Sequence, residues 1–295
     1  MKSIVKALKE KKILVSDGAW GTFLHKSGLE PGECPELWNI TNREKVLNVA
    51  QSYIDAGADL ILTNSFGGSP QKLKHYELAE RTYELNKAAA EISREAAGDD
   101  KFVLGSVGPT GVMLMMGEVS EDELLEGFRV QIKGLCDGGI DAVCIETMSD
   151  LSEAVLAIKA AKEIPGLEVI CTFTFEQTMS GDYKTMMGIA PEEMTAAIIR
   201  AGADIIGANC GNGFDQMVEI VSKIRNTDGN IPILVHANAG KPVYADGITI
   251  FPETPEEMSP KISKLIDAGA NIIGGCCGTT PGHIKAIVKE VSRYR

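Results

Sequence analysis

Short runs of β-branched and other apolar residues alternate along the chain with longer amphipathic stretches. The short runs predict eight strands, at residues 13–16, 60–63, 102–106, 142–145, 169–174, 205–207, 233–236 and 272–274. Between them, apolar residues recur at helical spacing, as in the segments 46–54 and 124–135. Regular alternation of strands and helices predicts a parallel sheet covered by helices.

A four-residue repeat supports a larger regular architecture. Its copies are Ala-Gly-Ala-Asp at 56–59 and 201–204, Gly-Gly-Ile-Asp at 138–141, and Ala-Gly-Ala-Asn at 268–271. Each copy places a glycine where a helix should end and a polar residue just before a strand. The copies recur about every two strand–helix units, which predicts a closed (β/α)8 TIM barrel forming one domain over residues 1–295. The alternative, an open Rossmann sheet, would carry G-x-G-x-x-G after the first strand, and this chain does not.

Composition and charge exclude several classes of function. The 29 Lys and Arg residues are outnumbered by 41 Asp and Glu residues, which leaves a net charge of −12. Such a chain is repelled by nucleic acid and by anionic membrane surfaces. No apolar run is long enough for a membrane span, and the charged segment after Met1 does not resemble a secretion signal. The seven cysteines are therefore expected to be reduced and the protein cytoplasmic.

The residues that follow the predicted strands are the candidates for chemistry, because TIM barrels carry their active sites in these loops. Cys210, Cys276 and Cys277 all fall at such exits. Three thiolates suit Zn²⁺ and leave its fourth position open for a substrate. We expect the glycines around the adjacent pair, in Gly-Gly-Cys-Cys-Gly, to let both sulfur atoms face one ion. The other four cysteines are predicted to be packing residues: Cys34, Cys136, Cys144 and Cys171.

Two carboxylates, Asp17 and Glu146, follow the first and fourth strands. They are interpreted either as a general acid–base pair or as partners of a substrate ammonium group. With Thr63 and Asn64 as neutral donors, the set resembles a binding site for an amino acid. His236 is predicted to be a hydrogen-bonded barrel histidine rather than a metal ligand.

The predicted metal site also indicates a type of reaction. Three anionic ligands weaken the Lewis acidity of zinc but keep a bound sulfur atom rich in electrons. Zinc also lowers the pKa of a bound thiol, so that a thiolate nucleophile exists at neutral pH. This chemistry favours alkylation of a thiolate over hydrolysis.

Several exit motifs together resemble the homocysteine S-methyltransferase family, in particular the homocysteine-binding barrel of cobalamin-dependent methionine synthases. The similarity runs from about residue 12 to residue 290. The motifs are Asp17-Gly18-Ala19-Trp20-Gly21-Thr22, Thr63-Asn64-Ser65-Phe66, Gly108-Pro109-Thr110-Gly111, Glu146-Thr147, Asn209-Cys210, Asn238-Ala239-Gly240-Lys241-Pro242 and Gly274-Gly275-Cys276-Cys277-Gly278-Thr279-Thr280-Pro281.

The resemblance implies a zinc TIM barrel in which Cys210, Cys276 and Cys277 bind Zn²⁺ and the sulfur of homocysteine takes the fourth position. It implies an enzyme that methylates homocysteine to methionine. The residues expected to surround the amino acid are Asp17, Gly18, Thr63, Asn64, Gly108, Glu146 and Asn238.

The methyl donor is expected to be methylcobalamin carried by a separate corrinoid protein. S-methylmethionine, S-adenosylmethionine and betaine are alternative donors. A different class of function is a corrinoid-linked demethylase subunit, which would not depend on homocysteine. A zinc-binding protein without activity would need a fourth protein ligand, and a lyase or aldolase would need a strand-end lysine; the sequence offers neither. Only one helix is expected after residue 283, so no folate or cobalamin domain is expected.

Two further features distinguish the chain within this resemblance. Trp20 and Trp38 stand where smaller or different apolar residues are usual, and are expected either to reshape the donor pocket or to pack. Seven methionines lie between residues 113 and 187, and are expected either to dock a corrinoid protein or to pack locally. These are Met113, Met115, Met116, Met148, Met179, Met186 and Met187.

Overall fold

Eight parallel strands form the centre of the structure, a computed structural model that describes residues 1–245 and 248–295. All eight predicted strands are present. Their bounds are β1 Leu14–Val15, β2 Leu60–Leu62, β3 Phe102–Val107, β4 Ala142–Met148, β5 Glu168–Phe173, β6 Ile205–Asn209, β7 Ile233–Ala237 and β8 Ile272–Gly275.

The strands follow one another around a ring. Their order in the sheet is β1-β8-β7-β6-β5-β4-β3-β2, and every pairing is parallel. A parallel bridge between Ser16 and Leu60 joins the two end strands. Beside it, the backbone N–H of Leu62 donates to Asp17 Oδ2 at 2.8 Å. The sheet therefore closes, and the predicted (β/α)8 TIM barrel is confirmed.

Helices surround this ring. Their bounds are α1 Ile4–Lys11, α2 Gly21–Lys26, α3 Trp38–Thr41, α4 Arg43–Asp55, α5 Pro70–Leu73, α6 Thr82–Ala97, α7 Glu121–Asp137, α8 Leu151–Lys162, α9 Pro191–Ala201, α10 Phe214–Thr227, α11 Pro255–Asp267 and α12 Pro281–Val291. The long helices α4 and α6–α12 each connect two strands or follow the last one. Within the described residues, no helix is both long enough and apolar enough to cross a membrane.

The first helix closes the amino-terminal end of the barrel. Ile4 and Leu8 of α1 are buried against apolar side chains inside the ring, among them Leu60 and Leu234. The Glu168 carboxylate at the start of β5 accepts a hydrogen bond from the backbone N–H of Ile4 at 2.7 Å. The carboxyl end of the ring is thus the end that remains available for a binding site.

The four-residue repeat has a structural role at the amino-terminal end. The glycine at the second position of each copy has φ between 96° and 108°, the left-handed region in which helices commonly end. Each polar residue accepts a hydrogen bond of 2.8–3.1 Å from a backbone N–H at the start of the neighbouring strand. The pairs are Asp59 with Val15, Asp141 with Val103, Asp204 with Val169, and Asn271 with Ile233. The repeat therefore links the strands in pairs, β1 to β2, β3 to β4, β5 to β6 and β7 to β8.

Two short hairpins extend the loops at the carboxyl end. One pairs Glu176–Gln177 with Tyr183–Lys184 after β5, and the other pairs Val243–Ala245 with Ile248–Ile250 after β7. Four turns of 3-10 helix also lie in the loops, at Pro35–Leu37, Lys74–Tyr76, Ala79–Arg81 and Leu114–Met116. The hairpins and the first and last of these turns surround the mouth of the barrel, where the candidate residues lie.

Candidate functional site

The three cysteines predicted to act together converge at the mouth of the barrel. The sulfur of Cys277 lies 3.9 Å from that of Cys210 and 3.9 Å from that of Cys276. All three sulfur atoms lie within 4.8 Å of one another. Four sulfur ligands at about 2.3 Å from zinc would be separated by about 3.8 Å along each edge of the tetrahedron. The observed spacing matches three corners of such a site.

Backbone bonds to β7 position all three cysteines. The N–H of Cys210 donates to the carbonyl of His236 at 2.9 Å, and the N–H of Cys276 donates to that of Ala237 at 2.7 Å. Cys277 accepts a bond from the N–H of Ala239 at 3.0 Å. The loops after β6 and β8 are therefore both fastened to the strand between them.

Cys210 adopts an unusual backbone conformation, with φ at 60°. A left-handed φ is uncommon outside glycine, and it turns the side chain away from the path of the strand. The preceding Asn209 is anchored, because its Oδ1 accepts bonds from the N–H of Thr147 at 2.8 Å and the hydroxyl of Thr172 at 2.7 Å. Strand β6 thus ends in a rigid turn that directs the Cys210 sulfur toward the other two.

The glycines around Cys276 and Cys277 serve two purposes. Gly278 has φ at 81°, as expected for backbone freedom, and a Cβ there would collide with Phe251. Gly275 does not have a positive φ; a Cβ at this position would collide with Thr279. The Thr279 hydroxyl instead donates to the carbonyl of Cys276 at 2.7 Å. Close packing at Gly275 and Gly278, as well as the expected backbone freedom at Gly278, therefore accounts for the glycines of the Gly-Gly-Cys-Cys-Gly motif.

The cluster shares negative charge among its sulfur atoms. Hydrogen bonds from the thiols of Cys276 and Cys277 lower the pKa of Cys210, and the same bonds to Cys210 raise the pKa of the two donors. A hydrogen bond from the side chain of Asn238 lowers the pKa of Cys210 further. A divalent cation would take the place of the shared protons and favour all three thiolates.

The other four cysteines lie apart from this cluster. Cys144 and Cys171 are buried inside strands, where burial raises the pKa of both thiols. Cys34 is buried, and its pKa is raised to about 12 by burial and by Glu36. Cys136 is partly buried in α7. Burial of Cys34, Cys144 and Cys171 agrees with the prediction that these are packing residues, and only the three exit cysteines form a potential metal-binding group among the residues described.

A cavity of about 350 Å³ opens beside the sulfur atoms. Its wall includes predicted residues from β4 and from the loops after β1 and β2, together with all three cysteines. The predicted residues are Gly18, Thr63, Asn64 and Glu146. Its size suits a small molecule rather than a polymer. The cavity therefore brings a potential metal centre and a carboxylate into one enclosure.

The two predicted carboxylates occupy different depths. Glu146 lines the cavity, and its Oε1 accepts a bond from the Ser106 hydroxyl at 2.5 Å. Burial, with a contribution from Asp17, raises the pKa of Glu146 to about 7. Asp17 has no exposed surface, and burial raises its pKa to about 6. Glu146 is thus the carboxylate at the cavity wall, and Asp17 lies behind it.

Thr63, Asn64 and Gly108 have structural contacts of their own. Thr63 Oγ1 accepts a bond from the backbone N–H of Ser106 at 3.0 Å. The Asn64 amide donates to the carbonyl of Pro35 at 2.7 Å, which fastens the turn Pro35–Leu37 to β2. Gly108 does not line the cavity: a Cβ there would lie 2.6 Å from the ring of Phe66.

His236 lies inside β7, as predicted, and also faces the cavity. Burial lowers its pKa to about 4, so the ring is neutral. Its Nε2 has no hydrogen-bond partner among the described residues, so the prediction of a hydrogen-bonded histidine is wrong for this atom. His236 does not belong to the potential metal-binding group found among those residues. The ring thus lies against the cavity, with Nε2 itself buried.

The two tryptophans have different positions. Trp38 is 5% exposed and packs in the core between barrel and helices, with the Lys45 ammonium 4.7 Å from the centre of its ring. Trp20 lines the cavity, and its indole N–H donates to Asp17 Oδ2 at 2.7 Å. Packing thus explains Trp38, whereas Trp20 contributes to the wall of the cavity.

Sequence reasoning missed one charged residue of the cavity. Glu36 is 4% exposed, and its Oε1 accepts a bond from the N–H of Gly67 at 2.7 Å. It lies on the turn Pro35–Leu37 rather than at a strand exit, so the barrel pattern gave no reason to select it. The only local signal was its position within a Cys-Pro-Glu turn.

Most of the methionines between residues 113 and 187 are exposed around the mouth. Met148 is buried and Met187 partly buried, so local packing explains only these two. The other five lie in the loops after β3 and β5 and are at least half exposed: Met113, Met115, Met116, Met179 and Met186. Exposed apolar side chains grouped at one end of a barrel are typical of a contact surface.

Comparison with known structures supports the fold. The metallated form of the homocysteine methyltransferase MmuM from Escherichia coli superposes with a TM-score of 0.79 over 96% of this chain and 97% of that chain, at 24% identity. The oxidised form of the same protein gives a TM-score of 0.78 at 24% identity, over 98% of this chain and 99% of that one. Both share the barrel described above.

Sequence comparison extends the similarity to longer proteins. The chain is 31% identical to the methionine synthase of Mycobacterium leprae over 301 residues, and 29% identical to that of Mycobacterium tuberculosis over 306 residues. These matches cover 96% and 97% of this chain but 24% and 25% of the relatives, so the chain spans about a quarter of their length. Residues 14–291 match the family described as homocysteine S-methyltransferase. The chain therefore belongs to the homocysteine S-methyltransferase family.

Proposed function

We propose that this protein is a zinc-dependent enzyme that transfers a methyl group to the thiol of homocysteine and so produces methionine. The observation that carries the proposal is the triangle of sulfur atoms, 3.9 Å apart on two of its sides, at the edge of a cavity that also contains Glu146. Membership of the family and the metallated form of a structural relative support it.

Cys210, Cys276 and Cys277 are the residues that would hold zinc. Three protein ligands are typical of catalytic zinc sites, whereas structural sites usually have four. When bound, zinc supplies an open position for a thiolate and lowers the pKa of the thiol that occupies it. No fourth cysteine, histidine or carboxylate joins the cluster among the described residues, which leaves that position to the substrate.

The chain's own groups would orient the amino acid. Glu146 faces the cavity and is positioned to accept the substrate ammonium, while the buried charge of Asp17 reinforces this attraction. An ammonium group would itself favour the ionised form of Glu146. The neutral ring of His236 adds a polar atom without adding positive charge near the ammonium.

The reaction itself is a displacement at carbon. The homocysteine thiol releases its proton to the solvent on binding, and a lone pair on its sulfur forms the new bond to the methyl carbon. The bond between that carbon and the donor breaks at the same time, and the donor keeps the electron pair. Enclosure in a cavity of about 350 Å³ limits the approach of water to the thiolate.

We propose a methylated corrinoid protein as the donor. The curated relatives named methionine synthase and the five exposed methionines at the mouth support a protein partner over a small donor. S-methylmethionine, S-adenosylmethionine and betaine remain the alternatives. We propose the cytoplasm as the location, because three thiols that hold a metal must stay reduced.

The proposal is tested by supplying zinc-loaded protein with homocysteine and one donor at a time. The donors are methylcobalamin, S-methylmethionine, S-adenosylmethionine and betaine, and methionine is the product measured. If only methylcobalamin yields methionine, the result supports the corrinoid donor. If another compound yields methionine, that compound replaces the corrinoid as the proposed donor. Methyl transfer from a small methylated compound to cob(I)alamin without homocysteine would instead support a demethylase subunit.

Docking of the donor protein has its own test. Met115 and Met116 are 77% and 65% exposed, so replacing both with serine should leave the fold unchanged. We expect the rate with a corrinoid protein to fall and the rate with free methylcobalamin to stay the same. Unchanged transfer from the protein donor would contradict a docking role for these side chains.

A further inference from the structure

Trp20 joins the wall of the cavity to a carboxylate that the cavity does not expose. The Trp20 side chain is half-buried and lines the cavity, whereas Asp17 has no accessible surface. The indole Nε1–H donates to Asp17 Oδ2 at 2.7 Å. Any influence of Asp17 on a ligand is therefore exerted from behind the cavity wall, next to this indole.

The hydrogen bonds to Asp17 are unevenly shared between its two oxygens. Oδ2 accepts from the Trp20 indole at 2.7 Å and from the backbone N–H of Leu62 at 2.8 Å. Oδ1 accepts a longer bond, 3.2 Å, from the Ser16 hydroxyl. Two short bonds from separate parts of the chain thus fix the rotation of the carboxylate, and the indole supplies one of them.

Packing determines where the indole N–H points. The Trp20 ring contacts the apolar cluster inside the barrel as well as the cluster between the barrel and its helices. A ring held on both sides has little rotational freedom. Phenylalanine at this position would preserve much of the apolar contact and remove the N–H group.

We propose that Trp20 is a positioning residue for amino-acid binding, whose indole N–H holds the Asp17 carboxylate in the orientation that supports Glu146 in attracting the substrate ammonium. The inference rests on the proposed function, since that function supplies the amino acid. It assigns a purpose to the indole that a merely space-filling aromatic ring would not have.

The test is a double-mutant cycle in the zinc-loaded protein of 295 residues. The variants are Trp20→Phe, Asp17→Asn and the combination, and calorimetry measures the Kd of homocysteine and of methionine. Removing a hydrogen bond to a charged group should weaken binding about tenfold. If Trp20 acts through Asp17, Trp20→Phe should cost little more in the Asp17→Asn background than Asp17→Asn alone.

Trp38→Phe is the matched control, because it removes the other tryptophan from a position outside the cavity. This variant should bind both ligands like the wild type. It also leaves Trp20 as the only indole, so its fluorescence should change when methionine binds. With a competent donor, Trp20→Phe should raise KM about tenfold and change kcat less than twofold.

Several results would overturn the inference. They are additive losses in the cycle, wild-type affinity in Trp20→Phe, and a loss of kcat without a change in KM. If Asp17→Asn fails to fold, the comparison of Trp20→Phe with Trp38→Phe still decides whether the indole affects binding. Because binding is measured without a methyl donor, failure of every donor would contradict the proposed reaction and leave this test intact. A wild-type protein that binds neither amino acid would contradict both.

Discussion

The sulfur atoms of Cys210 and Cys277 lie 3.9 Å apart, although the two residues follow strands on opposite sides of β7. The contact forms because both loops bond to the backbone at the end of β7. The proposed metal site therefore depends on three neighbouring strands keeping their register. The positions of the sulfur atoms are thus determined by the barrel strands as well as by the loops that carry the cysteines.

Replacing any one of the three cluster cysteines with serine should remove tightly bound zinc. Serine oxygen is a poor ligand for zinc beside thiolates, and two cysteines do not complete the site. Zinc content by elemental analysis should fall from one ion per chain to nearly none, and activity should fall with it. The control is Cys136→Ser, which replaces a partly buried cysteine on α7. This variant should keep both the bound zinc and the activity. An active variant without zinc would refute the proposed role of the cluster.

Asn238→Ala should weaken zinc binding without removing a ligand. The Asn238 side chain lowers the pKa of Cys210, so its loss makes the thiolate harder to form. Changes around metal ligands commonly reduce affinity about 10- to 100-fold, and we expect a loss in this range. Competition with a chromogenic chelator measures it. Asn230→Ala, at an exposed position, should match the wild type.

Glu146→Gln should stabilise the fold at neutral and alkaline pH while weakening substrate binding. Burial raises the pKa of Glu146 to about 7 from its ordinary value of 4.5, so the folded protein keeps a proton that the unfolded chain releases. Ionisation of Glu146 therefore lowers the stability of the wild type as the pH rises from about 4.5 to 7. A shift of this size corresponds to about 3 kcal/mol.

Urea denaturation at pH 4.5 and pH 8 measures this difference. The advantage of Glu146→Gln in free energy of unfolding should be small at the lower pH and largest at the higher one. Glu118→Gln removes an exposed carboxylate, and its free energy of unfolding should equal that of the wild type at both pH values. An advantage of equal size at both pH values would show that ionisation of Glu146 is not its cause.

Asp141→Ala tests the role of the repeat at the opposite end of the barrel. Asp141 accepts bonds from the backbone N–H groups of Val103 and Lys2 and forms an ion pair with Arg94 at 2.5 Å. Its loss should lower the free energy of unfolding by about 2–3 kcal/mol and leave zinc content unchanged. Asp137→Ala breaks an exposed pair with Lys133, and its effect on the free energy of unfolding should be much smaller. Equal losses would contradict the assigned role.

Much of the fold was predictable because the signals for it are local. Apolar runs indicate strands, and a closed ring of parallel strands brings all their carboxyl ends to one face. The sequence alone could therefore place Cys210 and Cys277 at the same face of the barrel. The function of the repeat was not predictable. Asp59 precedes β2 but bonds to Val15 in β1, and no local pattern indicates that pairing across the ring.

The details of the cavity also depend on tertiary contacts. The sequence indicated that Trp20 and Trp38 were unusual, yet only the packing shows that one lines the cavity and the other lies in the core. Glu36 is buried because its turn folds back against Gly67. Such positions arise from the docking of loops, which hydrophobic periodicity does not describe.

X-ray absorption at the zinc edge tests the central claim most directly, because it counts the atoms bound to the metal. The wild-type protein loaded with one zinc ion should show three sulfur neighbours and one lighter atom at distances typical of thiolate and oxygen ligands. Adding homocysteine should change this to four sulfur neighbours, and adding homoserine should not. A count of three sulfur atoms that homocysteine leaves unchanged would contradict the account.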